Sequence, residues 1–308
     1  MSTDATSTIA ESPAARSRLD PRTLRGEVGM VERPRRRFLP FDPWHLFLAP
    51  LAALMLVPLL WMVVTSLETP AQTLRFPPVL WPGTPRFGNY LDVVRESAFG
   101  TWFWNTAVVT VTVVASNLVL CTLAAYAFAR IRFLGRTFVY FVLLATLMVP
   151  LQVVLIPTFL IAKDLGLLDH LGALIVPNLA SVFGIFMLTQ FFRTLPIELE
   201  EAARIDGASR LSILLRIVVP LSLPALATLA VIQFLWTWND FLWPLVTILT
   251  NQGAFTLQLG LATFQGAHQT QWHLVAAANL MSMMPLIAVF LAAQRAFVRG
   301  IATQGLKG

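Results

Sequence analysis

The 308-residue chain is 56% hydrophobic and only 12% charged, with a mean hydropathy of +0.70, well past the roughly 25% charged and 45–50% apolar of soluble domains. Its formal charge of +6 and pI near 10.4 would suit a nucleic-acid partner, but such a binder gathers charge on a solvated surface and is not this apolar. These values exclude an ordinary soluble domain, leave no role for nucleic acid, and place the chain in a lipid bilayer.

Residues 1–43 are rich in Ser, Thr, Pro, Arg and acidic side chains with little apolar content, so they cannot offset the entropy of ordering and read as a disordered tail. Arg33, Arg35, Arg36 and Arg37 stand just before the first apolar run, where they anchor that end at an anionic inner leaflet or, alternatively, form a lipid-responsive switch. The run begins late, is long and lacks a clear small-residue cleavage site, which argues against a removed signal peptide.

Six apolar segments of spanning length follow, at about 44–67, 101–129, 137–160, 171–192, 221–249 and 273–294. A hydrocarbon core of about 30 Å needs about twenty helical residues, and uninterrupted apolar runs lack the alternation of a membrane barrel strand. The fold class predicted is all-α, a polytopic membrane protein of six transmembrane helices. With both termini on one face, that face carries eighteen of the twenty-two Lys and Arg, and the other holds Arg75, Arg86, Arg95 and Lys163 among several acids. The positive-inside rule then puts both termini, and a short tail at 297–308, in the cytoplasm.

Between the fourth and fifth spans lies a polar loop at 196–220, read on the same cytoplasmic face. Pro196 suits a first helical turn, and Glu198, Glu200 and Glu201 lie near the positive end of the helix dipole. A short helix is expected to about Asp206, with Gly207 turning the chain and Ser209 capping a second helix. Leu211, Leu214, Leu215 and Val218 would form that helix's apolar stripe, opposite Arg210 and Arg216, and Pro220 and Pro224 mark the bend into the fifth span. The small pair Ala202 and Ala203 beside Glu201 would let the first helix enter a partner's groove. An amphipathic helix resting on headgroups is the alternative, though anionic lipid would repel four acids.

Asp240 is the only acid predicted inside a span, where a charge costs roughly 2.5–3.5 kcal/mol on insertion scales. It reads as a structural acceptor near the outer end of the helix, as a substrate-path residue with Trp236, Trp238 and Asn239, or as a proton relay. Pro58, Pro150, Pro157 and Pro285 suggest kinks within spans. Cys121 has no partner for a disulfide or metal site, and His45, His170, His268 and His273 show no metal spacing. No G-x-x-x-x-G-K-[ST] loop is present, so any ATP is hydrolysed elsewhere.

The 201–220 stretch EAARIDGASRLSILLRIVVP resembles the membrane subunits of bacterial ATP-binding-cassette importers that work with an extracytoplasmic binding protein. Their hallmark loop reads EAA, three intervening residues, Gly, nine intervening residues, then I-x-L-P; Glu201, Ala202, Ala203, Gly207, Ile217 and Pro220 match, Asp206 fits a common variant, and Val219 stands where Leu is usual. The segments AAYAFARIRF at 124–133, MVPLQVVLIP at 148–157 and WNDFLWPL at 238–245, the Asn105 and Thr106 pair, and the outer segment PPVLWPGTPRFGNYLDVV narrow the resemblance to the carbohydrate, MalG-like branch. It implies a type I importer permease fold in a bacterial inner membrane, with 196–220 as the coupling loop that docks on a cytoplasmic ATPase. The implied partners are a second homologous permease subunit in a heterodimer, two ATPase subunits and a sugar-binding protein; ATP and Mg belong to the ATPase, and no cofactor or metal is expected on this chain. In relatives the C-terminal tail reaches the ATPase, which points to Lys307 and Gly308. The outer loop at about 250–272 resembles one that enters the binding protein's cleft, and Gln258, Phe264, Gln265, Gln269 and Trp272 are suitable types for sugar contacts; an interfacial loop with aromatic anchors is the alternative. The implied function is a sugar-importer permease subunit. The alternatives are a permease for glycerol phosphate or polyols, a secondary transporter using Asp240, disfavoured by the lack of an evident inverted repeat, and an intramembrane enzyme, for which no nucleophile and base are suitably spaced.

Overall fold

The structure, a computed structural model, describes residues 44–78, 80–265 and 270–304, with side chains to residue 294. The predicted 1–43 tail, its arginine cluster, Gln269, Lys307 and Gly308 lie outside the described residues. The chain divides into two units, Met1–Met55 and Leu56–Gly308; of the first, residues 44–55 are helical.

Among the described residues the fold is all-helical, with a lone antiparallel bridge between Gln265 and Thr270. In chain order the helices are α1 Trp44–Ser66, α2 Pro70–Thr73, α3 Gly88–Glu96, α4 Phe99–Arg130, α5 Arg136–Thr146, α6 Leu151–Asp164, α7 Leu171–Ile175 and α8 Val182–Thr194. Next come α9 Glu198–Ile205, α10 Arg210–Ile213, a π turn at Leu214–Val218, α11 Val219–Leu221, α12 Leu223–Trp238, α13 Leu242–Thr247, α14 Leu257–Ala262 and α15 Trp272–Gln304. Among the described residues, four stretches are long and apolar enough to cross a membrane, and two bent pairs bring the number to six if each pair is one span.

The first of those bends, and a separate break after Trp238, correct two spans expected to be single helices. At 137–160, α5 and α6 meet at 103°, because Pro150 has no N–H to donate and pushes Val149 away from helical backbone; Pro150 instead becomes the extended N-cap residue of α6. At 221–249, α12 stops at Trp238 and α13 starts at Leu242. Within the expected loop at 250–272, α14 is a helix that buries Leu257, Leu259 and Leu261.

Helix α4 threads the core. Its 32 residues span about 48 Å at 1.5 Å per residue. Phe99 and Trp102 join one cluster with Leu257, Leu261 and Trp238; Val109 and Val113 join a second with Leu174 and Trp243; Cys121, Ala125 and Phe128 join a third with Leu188, Phe192 and Leu229. Three of its buried polar side chains stitch neighbouring backbone. Asn105 donates to the carbonyls of Gly253 and Phe255 at 2.8 and 2.9 Å, Thr106 Oγ1 accepts from the Leu257 amide at 2.7 Å, and Asn117 donates to Asn178 O at 2.7 Å.

Gly260 shows how closely α14 approaches α4. A Cβ on Gly260 would overlap the Trp102 indole, so only glycine permits this contact.

Candidate functional site

At the Arg130 end of α4, the segment from Ile197 to Ser222 forms a short helix, a turn, a π turn and a bend. Helix α9 carries Glu198, Glu200 and Glu201 in its first turn and Arg204 in its last, charges that complement the helix dipole. It ends in a Schellman motif: Ala208 N donates to Ala203 O at 2.9 Å and Gly207 N to Arg204 O at 3.0 Å, with Gly207 at φ +81°. Glycine takes this left-handed conformation without steric cost. Ser209 Oγ then accepts from the Ser212 amide at 3.2 Å, starting α10, and the chain turns by 79° between α11 and α12.

The π turn alters the predicted apolar stripe. Leu214 and Val218 are buried and Ile213 joins them, whereas Leu211 and Leu215 are 58% and 57% exposed. A wider turn adds a residue and rotates the buried face away from the 3.6-residue register. Ile217 is half-buried and Pro220 exposed.

Glu200, which the sequence motif does not single out, is the anchor of α9. Its carboxylate is buried, with Oε1 2.7 Å from Arg130 Nε, and the two side chains are 3% and 8% exposed. This is an ion pair at contact distance whose N–H···O alignment falls short of a hydrogen bond. Tyr126 Oη donates to Oε2 at 3.2 Å, and Arg130 Nη2 donates to Leu195 O at 2.7 Å. In the sequence, Arg130 contributes a positive charge to one face of the membrane. A local charge tally cannot see that it is paired across the fold.

With Glu200 turned inward, Glu198, Glu201, Ala202 and Ile205 share the outward face at i, i+3, i+4 and i+7, and each is exposed. Ile205 is 87% exposed and completes an acidic face with one apolar tip; Asp206 is exposed beside it. The expected small pair splits, because Ala203 packs against the chain's own core and only Ala202 faces out.

A second feature is a cavity of about 390 Å³ between α4, α7, α12 and α13, lined in part by Asp240, Trp236, Thr237, Gln233 and Thr256. Gln233 Oε1 and Thr256 Oγ1 are buried there without hydrogen-bond partners among the described residues, and Gln233 Nε2 donates to Thr237 Oγ1 at 3.2 Å. Asp240 lies in the break between α12 and α13, not inside a continuous helix, and its Oδ1 accepts from the Trp243 amide at 3.3 Å. Carboxylates suit such a cap because the first helical amides lack internal partners. Trp236 lines the cavity and meets Phe183 edge-on at 5.3 Å, whereas Asn239 is exposed and donates to Leu235 O.

The 250–272 residues divide similarly. Gln258 and Phe264 are half-buried, and Phe264 packs edge-on to Trp102 at 6.1 Å. Gln265 is exposed, and Trp272 is 50% exposed. Asp169, not singled out in the sequence, holds the start of this segment. At φ +61°, a conformation Asp tolerates, its Oδ1 accepts from the amides of Leu249, Thr250 and Asn251 at 2.6, 2.7 and 3.1 Å. Those backbone bonds to Thr250 and Asn251 lead in holding its carboxyl down, from an ordinary 3.8 to about 2.

Comparison with known proteins adds the following. The family model described as binding-protein-dependent transport system inner membrane component matches residues 117–303. The arabinooligosaccharides transport system permease protein AraQ of Halalkalibacterium halodurans is 32% identical over 89% of this chain and all of that protein. The sn-glycerol-3-phosphate transport system permease protein UgpE of Pectobacterium atrosepticum is 37% identical over 73% of this chain and 83% of its own. A chain of a bacterial ABC transporter crystal structure, involved in import of the acidic polysaccharide alginate, superposes with a TM-score of 0.71 at 27% identity, covering 83% of this chain and 99% of that one.

Proposed function

The chain belongs to the inner membrane components of binding-protein-dependent transport systems, and from that premise we propose that it is one permease subunit of an ATP-driven sugar importer, with its 196–220 loop and both termini in the cytoplasm. The observation that carries this reading is the outward face of α9, Glu198, Glu201, Ala202 and Ile205, backed by a buried ion pair. An exposed face fits a groove on a partner, Glu201 suits a guanidinium or ammonium there, and the Arg130–Glu200 pair makes any push on α9 a push on α4. The Schellman turn and the 79° bend tie the same push to α12.

A second, homologous permease subunit completes the path, two ATPase subunits hold ATP and Mg, and a binding protein delivers cargo on the opposite face. The cavity beside Asp240 is this chain's share of that path, with Gln233 and Thr256 supplying polar atoms that a hydroxyl-bearing cargo can satisfy. AraQ's name favours oligosaccharide cargo, and UgpE's name keeps a polyol phosphate as the second reading. Asp240 serves as a cap, so a proton-coupled secondary transporter has little support.

The test is uptake of labelled sugar into proteoliposomes containing the assembled complex and its binding protein. Uptake is expected to need ATP, and Glu201→Arg or Gly207→Val should leave ATP hydrolysis while abolishing its coupling to transport. Uptake that persists without the ATPase subunits refutes the proposal.

A further inference from the structure

Away from α9 and the cavity beside Asp240, two adjoining hollows lie at the opposite end of α4, where α3 and the start of α15 meet residues 252–264 and 270–271. The first, about 300 Å³, is edged by Arg86, Asp92, Glu96, Gln271 and His273. The second, about 500 Å³, shares Glu96 and Gln271 with it and adds Gln252 and the rings of Trp102, Phe255 and Phe264. Both volumes fall within the ~300–1,000 Å³ of small-molecule sites.

Two observations single this place out. His273 is only 7% exposed, yet its Nδ1 has no hydrogen-bond partner among the described residues, whereas buried polar atoms are nearly always paired. Arg86 Nη2 donates to Asp92 Oδ2 at 2.8 Å, which holds a guanidinium and a carboxylate side by side at the rim, with donors and acceptors to spare.

The lining discriminates between ligand classes. Asp92 and Glu96 repel anions, no group of three His, Cys, Asp or Glu side chains gathers for a metal among the described residues, and the first hollow is too polar for an apolar guest. A sugar hydroxyl both donates and accepts, so it satisfies the carboxylates and the guanidinium alike. The half-buried rings of Phe255 and Phe264 give the second hollow an apolar side.

We propose that these hollows form an outer subsite for two adjoining rings of a neutral oligosaccharide, which receives the chain as it leaves the binding protein and before it enters the membrane cavity. The proposal takes its orientation and ligand class from the importer reading above; the hollows themselves do not depend on it.

The test uses the assembled importer in lipid nanodiscs without its binding protein, titrated by calorimetry with arabinotriose, xylotriose and maltotriose, with each parent monosaccharide, and with sn-glycerol 3-phosphate. At least one trisaccharide should bind, its monosaccharide about tenfold or more weakly, and glycerol 3-phosphate not at all. Glu96→Ala and Gln271→Ala change exposed side chains on the shared wall, and each should weaken trisaccharide binding about tenfold. No trisaccharide binding, preference for glycerol 3-phosphate, or binding unmoved by both variants overturns the subsite. If binding fails while binding-protein-dependent uptake proceeds, the subsite is wrong and the importer reading stands; if binding is as expected but ATP-driven uptake never occurs, the importer reading is the one that fails.

Discussion

Deleting either half of the Arg130–Glu200 pair should unfold the α9 end of the molecule far more readily than a surface charge change would. At 2.7 Å and an effective dielectric of about 20, the two charges attract by roughly 6 kcal/mol. Most of this is offset by the desolvation of two nearly inaccessible groups, so the pair as a whole stabilises little. Removing one partner is different, because the survivor stays buried without its counter-charge, at a cost of about 3–5 kcal/mol. Arg130→Met and Glu200→Leu should therefore each destabilise by about that amount. The double variant should lose only about 1–2 kcal/mol, the worth of the orphaned Tyr126 hydroxyl and Leu195 carbonyl. A double-mutant cycle, read by tryptophan fluorescence during reversible unfolding in mixed micelles, isolates the coupling. Single effects below about 1 kcal/mol that simply add in the double variant would mean that the pair behaves as an exposed one, and Glu200 would have no energetic basis as the anchor of α9.

Gly260→Ala should destabilise by about 1–3 kcal/mol through overpacking against Trp102, seen as a lower unfolding midpoint. Gly100→Ala, in a helix with open space around it, should be neutral or stabilising by up to about 1 kcal/mol. Gly207→Val forces a β-branched residue to φ +81°, costing at least about 1–2 kcal/mol, and coupling of ATP hydrolysis to uptake should fall with it. Because Asp169 is held down to about 2 from 3.8, its stabilisation is complete above pH 4 and disappears as pH drops through 2; Asp169→Asn should lack it throughout, so denaturant midpoints of wild type and variant should converge across that window. Asp240→Asn keeps an oxygen to cap the Trp243 amide, so sugar uptake and its pH profile should stay near wild type, while Asp240→Ala should lose about 1 kcal/mol of stability. Loss of uptake in the Asn variant would restore a proton role.

The membrane class, the all-helical fold and the turn chemistry at Gly207 and Ser209 were legible because each depends on composition or on residues within a few positions of one another. Apolar runs of about twenty residues dictate helices in lipid wherever they occur, and a glycine followed two residues later by a serine announces a left-handed turn and a cap from local sterics and hydrogen bonding. What the sequence did not disclose depends on distant partners. Glu200 and Glu201 are identical neighbours in side chain and charge, yet one is buried against Arg130 and the other faces outward; the loop motif marks Glu201, but nothing local says that Glu200 turns inward. Asp169 reads as one acid among several until the 249–251 amides close around it. Pro150 and the WNDF segment were seen as kinks or span interior, but whether a helix bends by a few degrees or breaks by 103° is decided by what packs on either side of the lost hydrogen bond. Local chemistry determined where this chain would be helical and where it would turn; only tertiary packing decided which charges are held inside and which remain to meet a partner.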